Sequence, residues 1–225
     1  MTGLTYSTTQ THTTKAMKIK EAIAEIGCDL SKPSKMPGYG YSLPAHACLT
    51  GSKLAQIPGT PCHKCYAMRG NYLYPSVKSG LTKRLEAIEN LRWVEAMTLL
   101  IESRCRNKGI KYFRWFDSGD LQSSDMLSRI IAVCKRTPDI EHWLPTQERA
   151  FVRQFNDHLP PNLCIRISTT KVGSPPAANR RLNVQTSTIA YKEGFQCRAK
   201  DRGNACGPCR ACWQRTIPNV NYPQH

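Results

Sequence analysis

The residues best suited to chemistry are four cysteines in the last part of the chain: Cys197, Cys206, Cys209 and Cys212. The last three repeat at two-residue gaps, so their thiols lie along one short loop. Two separate Cys-x2-Cys arms are typical of zinc, whereas a tight run with one distant cysteine is closer to the ferredoxin pattern for a [4Fe-4S] cluster. The run lacks the Cys-Pro that ends that pattern. The spacing therefore favours an iron–sulfur cluster, with zinc as the alternative.

A second group has three members: Cys48, Cys62 and Cys65. A Cys-x2-Cys pair that follows a proline in a loop is a metal-binding signal. The alternative of a redox dithiol requires a helix directly after the pair, and 68–75 is rich in loop-forming residues instead. His46 and His63 are neighbouring candidate ligands, although such histidines commonly make local hydrogen bonds. We therefore favour a metal here as well, with purely structural cysteines as the main alternative.

The number of thiolates decides what a cluster does. Four thiolates saturate a [4Fe-4S] cluster, whereas three leave one iron open to a substrate or cofactor, and the same logic applies to zinc. We therefore expect a saturated cluster at the four C-terminal cysteines and an open one at the other three. In an alternative arrangement, Cys62 and Cys65 join two C-terminal cysteines in one site and Cys48 is left free. One or two clusters fit these patterns.

The composition indicates thiols rather than disulfides. The chain has 225 residues and eleven cysteines, an odd number that argues against complete pairing. No apolar run is long enough to span a membrane, and the threonine-rich start has no apolar signal core. We expect a cytoplasmic protein with no membrane partner, in which disulfides are rare. We interpret Cys28, Cys105, Cys134 and Cys164 as packing residues.

The net charge is +16, from 32 lysines and arginines against 16 acidic residues. Such a balance favours polyanionic partners such as nucleic acid, nucleotides or a phosphorylated small molecule. The basic residues are dispersed, and no recognition-helix or aromatic-basic ribonucleoprotein motif is present. A basic surface without a dedicated partner is the alternative. The sequence gives no indication of the oligomeric state.

Strands and helices alternate between residues 110 and 170. The patterns predict strands over 111–116, 140–144 and 163–168, with helices over 123–136 and 149–158. This β-α-β-α-β order is typical of a parallel sheet with right-handed crossovers. Further predicted elements are helices over 16–26 and 76–108, the second of them divided near Asn90 in one interpretation, and strands over 39–43 and 183–190.

These elements predict an α/β fold. We expect a partial (β/α) TIM-like barrel over 31–190, with an N-terminal arm and short helix over 1–30. A cysteine-rich, cluster-binding segment over 191–225 would pack on the barrel.

Polar residues follow the predicted strands at the edge where α/β proteins place their sites. They are Asp117, Ser118, Asp120, Thr146, Gln147, Glu148, Ser168, Thr169 and Thr170. Helix capping accounts for many such residues. We favour function for Asp120 and Glu148. Arg114 and Arg166 lie inside apolar strands and need an anionic partner if they point inward.

The motifs carry a resemblance to a family over nearly the whole chain from residue 37. They are the runs at 62–72, 114–120, 143–148, 162–168 and 206–213, followed by Asn219-Val-Asn-Tyr. Together they resemble the phage gene-product-88 family. The resemblance implies a phage-encoded protein in the host cytoplasm.

The order of parts also resembles the radical S-adenosylmethionine enzymes, which bind an open [4Fe-4S] cluster through a three-cysteine loop after the first strand. Cys48, Cys62 and Cys65 stand at that loop, although thirteen residues separate the first two, where those enzymes have three. The resemblance implies that Ser118, Gly119 and Asp120 replace a Gly-Gly-Glu cofactor motif. It places Thr146 and Ser168 at the exits of later strands. S-adenosylmethionine is then a candidate cofactor.

Three functional hypotheses follow. The first is a redox or radical enzyme in which Asp120, Glu148 and Arg166 line a cavity at the strand ends. The second is a nucleic-acid-binding protein whose fold is held together by zinc or a saturated cluster. The third is a metal-assisted hydrolase of a phosphorylated substrate, which rests on the charge and on Asp117 and Asp120.

Overall fold

The computed structural model describes residues 17–155, 158–177 and 182–224. In this part of the chain seven strands form one sheet, in the order β1-β2-β3-β4-β5-β7-β6 with every neighbouring pair parallel. The strands are β1 (Tyr39–Tyr41), β2 (Tyr112–Trp115), β3 (Glu141–Thr146), β4 (Leu163–Ser168), β5 (Gln185–Ile189), β6 (Phe195–Gln196) and β7 (Asn219–Tyr222). The carboxyl ends of the strands therefore meet along one edge.

One α-helix of the described chain precedes β1, and the other five lie in the crossovers between the first four strands. They are α1 (Ile19–Ile26), α2 (Leu49–Leu54), α3 (Pro75–Ala87), α4 (Trp93–Arg104), α5 (Ser124–Arg136) and α6 (Arg149–Arg153). The predicted division near Asn90 is confirmed, and its side chain accepts a hydrogen bond of 2.7 Å from Arg92 N at the start of α4. Helix α6 is shorter than predicted, and residues 156–157 of that prediction lie outside the described residues.

The two faces of the sheet have different coverings. Phe113, Trp115 and Leu144 point to the helical face and belong to the main apolar core, together with Met97 and Leu127 of the helices. On the opposite face, residues of the strands pack against the C-terminal segment in a second cluster of buried residues: Trp143, Ala211, Cys212, Trp213 and Val220. The fully buried Trp115 and Phe113 anchor the first layer, and Trp213 anchors the second.

The predicted α/β class and the parallel sheet are confirmed. Within the described residues the sheet is open, because its order begins at β1 and ends at β6 without pairing between them. The predicted partial TIM-like barrel is therefore not confirmed, and the strands form an open parallel sheet. Two strands, β6 and β7, were absent from the prediction. The predicted arm over residues 1–15 lies outside the described residues, and no described helix has the length and apolar character needed to cross a membrane.

Candidate functional site

A cavity of about 470 Å³ lies over the carboxyl ends of the strands. Residues at the ends of β2, β3, β4, β5 and β7 line one side, and the long loop after β1 lines the other. All five residues predicted to bind a cofactor line this cavity: Ser118, Gly119, Asp120, Thr146 and Ser168. So do the three cysteines of the second group, Cys48, Cys62 and Cys65. The residues predicted to bind a cofactor and the cysteines predicted to bind a metal therefore line the same cavity.

The thiols of this group lie around a glycine. A Cβ built on Gly51 would lie 3.6 Å from Sγ of both Cys48 and Cys62. Any larger residue at position 51 would therefore place its side chain beside the two sulfurs. Burial first, then the nearby Asp120 and Cys65, raise the pKa of the Cys48 thiol to about 12. Burial and Cys65 likewise raise the pKa of Cys62 to about 11. At neutral pH the bare thiols are protonated, and a metal would have to displace those protons.

Glu148 holds the helix that follows Cys48. Its carboxylate accepts hydrogen bonds from Thr50 N at 2.7 Å and Thr50 Oγ1 at 2.9 Å, at the start of α2. A carboxylate there satisfies an otherwise unpaired N–H and complements the helix dipole. Glu148 itself is not among the described residues that line the cavity. Its observed contacts position Cys48, whereas the sequence predicted a catalytic role for it.

The loop after β2 is joined to the end of β1. Ser118 Oγ donates to Leu43 O at 2.8 Å, and Leu43 N donates to Ser118 O at 2.9 Å. Gly119 has φ of +82°, and a Cβ built on it would lie 2.4 Å from Leu43 Cβ. Only glycine allows this close approach without displacement of the neighbour. The contact fixes the loop that carries Asp120 against the chain that leads to Cys48.

Asp120 is a buried carboxyl group with several hydrogen bonds. Its Oδ1 accepts from Thr146 Oγ1 at 2.5 Å and from Leu121 N at 2.7 Å, and its Oδ2 accepts from Gln147 N at 2.8 Å. Burial raises its pKa to about 7, against the lowering effect of these bonds. A carboxyl group with this pKa exchanges a proton near neutral pH, as a general acid or base must.

We expect the stability of the protein to fall as the pH rises from about 4 to about 7. The pKa of Asp120 is about 7 when folded and about 3.9 in an unfolded chain. The folded state therefore binds more protons in this window, and stability is greatest below the unfolded pKa. The expected loss is on the order of 3 kcal/mol. Urea unfolding of wild type and Asp120→Asn across this range measures it, and parallel pH curves for the two proteins would contradict the prediction.

Arg166 lies away from the cavity, on the face covered by the C-terminal segment. Its side chain is fully buried and donates five hydrogen bonds to backbone carbonyl oxygens. Four of the acceptors belong to the C-terminal segment: Ala211, Cys212, Gln214 and Ile217. The fifth is Thr186 of β5. The partners are therefore carbonyl groups rather than the anion that the sequence suggested, and Arg166 lies outside the cavity that it was predicted to line.

All four C-terminal cysteines lie in the segment that connects β6 to β7. Cys212 Sγ lies 3.2 Å from Tyr222 Oη, and Cys206 Sγ lies 3.9 Å from Met36 Sδ. Burial raises the pKa of Cys206, Arg114 lowers it, and the neighbouring Cys197 raises it. Among the described residues, no group of three or more His, Cys, Asp or Glu side chains has the geometry of an ion site. Metal binding by either group of cysteines stays a prediction.

The family model for Gene product 88 matches residues 6–215. The chain belongs to this family. The match covers most of the chain, including both groups of cysteines, the sheet except β7, and the cavity lining except Tyr222, Pro223 and Gln224. No curated protein and no solved structure matches the chain. The family resemblance is therefore confirmed, whereas the likeness to radical S-adenosylmethionine enzymes gains no support from these comparisons.

In this family member, Arg114 lies between the two groups of cysteines. Its guanidinium sits 4.3 Å above the ring of Trp143, and its Nη1 donates to Met36 Sδ at 3.7 Å. Arg114 also lines the cavity, together with Tyr222, whose hydroxyl meets Cys212. The sequence marked Arg114 only as a cation inside an apolar strand. It marked Tyr222 only as the last residue of the Asn219-Val-Asn-Tyr motif and gave no structural role for it, because the strand that carries it was not predicted.

Four polar atoms of residues that line the Gene product 88 cavity have no hydrogen-bond partner among the described residues. They are Asp117 Oδ1, Gln147 Oε1, Trp143 Nε1 and Arg114 Nε, all of them buried. Buried polar groups without partners are rare, so each marks a place where a ligand or ordered water would bind. The cavity thus offers two acceptors and two donors to its occupant.

Proposed function

We propose that the chain is an iron–sulfur enzyme. An open [4Fe-4S] cluster would be held by Cys48, Cys62 and Cys65, and the cavity beside them would bind the substrate. The observation that carries this proposal is the convergence of the three thiols and the strand-end residues on one cavity. In parallel α/β folds this edge of the sheet is where ligands bind.

The arrangement of the thiols is a test of whether a cluster fits. A single zinc ion with Zn–S bonds of about 2.3 Å holds two thiolates within about 4 Å of each other. Among the described residues, no group of three or more His, Cys, Asp or Glu side chains has the geometry of an ion site, so the cysteines would have to move to bind zinc or a cluster. Gly51 keeps the space between Cys48 and Cys62 clear of a side chain. Four thiolates saturate a [4Fe-4S] cluster, so the three thiols that line the cavity would leave one iron open, and this donor set supports the proposal.

When bound, such a cluster supplies one-electron chemistry and an iron with an open coordination position. The other residues of the cavity have roles that follow from their contacts. Asp120 would hold or release a proton at its carboxyl group near pH 7. Glu148 would orient Cys48 through Thr50. Arg114 would place a positive charge over the floor of the cavity, where it attracts an anionic group.

S-adenosylmethionine is the cofactor that we assign to the open iron within this proposal. The assignment rests on Ser118, Gly119 and Asp120, which line the cavity on the same side as Thr146 and Ser168. The four C-terminal cysteines would hold a second, saturated cluster. The proximity of Cys206 to Cys197 and Cys209 supports that assignment.

We expect protein purified without oxygen to contain about four or eight irons per chain with matching acid-labile sulfide, since each [4Fe-4S] cluster holds four. Cys62→Ala with Cys65→Ala should remove about four of them. Cys28→Ala with Cys105→Ala should remove none, because these buried cysteines lie in the main core. Iron and sulfide assays with an absorption spectrum measure both.

Two results would contradict the proposal. Iron content that is the same in the Cys62/Cys65 variant and in wild type would remove the open cluster. Zinc without sulfide would exclude the radical chemistry and favour a zinc-stapled, nucleic-acid-binding protein.

A further inference from the structure

The loop beside the cavity carries most of the exposed apolar side chains of the described chain. Eight large hydrophobic residues are exposed among the described residues, and six of them fall within 49–74, which we call the mouth segment. They are Leu49, Ile57, Tyr66, Met68, Leu73 and Tyr74. Scattered exposed apolar residues are ordinary, but a cluster of this kind marks an interaction site.

The mouth segment lies within the most one-sided part of the charge distribution. Residues 30–85 contain eight lysines and arginines and no aspartate or glutamate. None of the ion pairs among the described residues involves a cation of this stretch. This stretch therefore carries positive charge that takes part in no described ion pair, and it is complementary to an anionic partner.

Two of these cations stand at the entrance of the cavity. Lys64 is exposed and lines the cavity, so the cavity opens to solvent beside it. Arg69 is also exposed, and its Nη2 donates to Lys64 O at 3.2 Å, which keeps the two residues together. Tyr74, 58% exposed, and Met68, 53% exposed, lie on the same segment. Cations and apolar or aromatic side chains are thus interleaved along one exposed segment, part of which lines the cavity.

The interior of the cavity suits a nucleobase. Its volume of about 470 Å³ falls in the range of small-molecule pockets. The unpartnered Asp117 Oδ1 and Gln147 Oε1 accept hydrogen bonds and Trp143 Nε1 donates one. A nucleobase presents both donors and acceptors on its edges. Enzymes that act on a base in a polynucleotide take that base into such a pocket.

We propose that the mouth segment binds a single-stranded nucleic acid, with one nucleotide inserted into the cavity. Lys64 and Arg69 contact phosphates, and Tyr74 and Met68 pack against bases. This combination of a basic surface with exposed aromatic groups is how sequence-tolerant single-strand binding is achieved. A purely apolar partner would leave the cations unused, and a purely acidic peptide would leave the aromatic and apolar side chains unused.

The inference names the substrate class of the proposed enzyme and rests on the proposed function for the reaction that follows binding. Binding itself is a property of the surface and is measured apart from the reaction. If wild-type protein purified without oxygen contains no iron but still binds nucleic acid, the proposed function alone is overturned. Absence of binding with iron intact would overturn this inference alone.

The test is the binding of a fluorescent single-stranded RNA or DNA of about 20 nucleotides to the full chain, followed by anisotropy across a range of salt concentrations. We expect Lys64→Glu with Arg69→Glu to weaken binding at least about tenfold and to reduce the salt slope by about 1.4, because two phosphate contacts are lost. The matched control is Lys135→Glu with Arg136→Glu. It changes the net charge equally at the exposed end of α5 and should bind like wild type.

A second pair of variants tests the apolar contacts. Tyr74→Ala with Met68→Ala should weaken binding by about five- to a hundredfold, as is typical for the loss of base stacking. Leu91→Ala, at a residue that is 92% exposed elsewhere on the surface, should have no effect.

Several outcomes would overturn the inference. They are equal affinity for a duplex of the same sequence, equal affinity for polyphosphate, and equal loss in the α5 control. A patch that joins two copies of the chain would appear as a change from dimer to monomer in Tyr74→Ala with Met68→Ala by light scattering. That result, with nucleic-acid binding unchanged, would also overturn it.

Discussion

Replacement of Arg166 by methionine is expected to destabilise the protein by at least about 3 kcal/mol. The change removes five hydrogen bonds to backbone carbonyl groups. Ala211 O and Gln214 O each keep one backbone donor, and the carbonyl groups of Cys212, Thr186 and Ile217 lose the Arg166 donor. A buried carbonyl group left without a donor costs about 1 to 3 kcal/mol. Thermal or urea unfolding followed by circular dichroism measures the loss. A change below about 1 kcal/mol would show that the C-terminal segment does not depend on this side chain.

The control for this prediction is Arg166→Lys. Lysine keeps the positive charge but has three donors instead of five and no planar fork. The loss of stability should therefore be intermediate between wild type and Arg166→Met. If the two variants are equally destabilised, the fork geometry matters more than the number of donors. If Arg166→Lys matches wild type, the charge alone accounts for the effect of Arg166.

The second large effect is expected for Gly119→Ala. The added Cβ would lie 2.4 Å from Leu43 Cβ and 2.9 Å from Leu43 O, so either the loop or the end of β1 must move. We expect a loss of about 3 kcal/mol or more, from the clash together with the strain of φ at +82°. Because the loop carries Asp120 and abuts the chain to Cys48, the iron content should fall as well.

Gly59→Ala is a closely matched control for the clash. Gly59 has the same φ of +82°, but a Cβ built on it meets no atom within 4 Å. Its replacement should therefore cost only the backbone strain, about 1 to 2 kcal/mol. Comparison of the two unfolding curves separates steric contact from strain. Equal losses in the two variants would contradict the close contact between Gly119 and Leu43.

The sequence was informative where local patterns dictate structure. Alternating apolar strands and amphipathic helices between residues 110 and 170 predicted the parallel sheet. A parallel sheet brings the carboxyl ends of its strands together, so Asp120, Thr146 and Ser168 could be assigned to one site from topology alone. The convergence of the cysteine loop on the same cavity followed from its position directly after β1.

The failures have physical causes of a different kind. Strand β7 contains Asn219 and Asn221, and asparagine is depleted in strands. Here their side-chain amides pair with Thr186 and Thr188 of β5 and provide the stabilisation that apolar packing normally gives. The role of Arg166 depends on carbonyl groups about 20 to 51 residues away, which no local pattern reveals. Whether the sheet closes into a barrel likewise depends on how all of its strands pair, which no local sequence pattern reveals.

The place of β7 in the sheet constrains the order in which the protein is assembled on the ribosome. Strand β7 lies between β5 and β6, and β6 pairs with no other described strand. Residues 219–222 follow all eleven cysteines in the chain. The last two positions of the sheet therefore stay vacant until every thiol has been synthesised. Both groups of cysteines are therefore synthesised before the C-terminal layer closes over Arg166, and under the proposal above they would be accessible for metal loading at that stage.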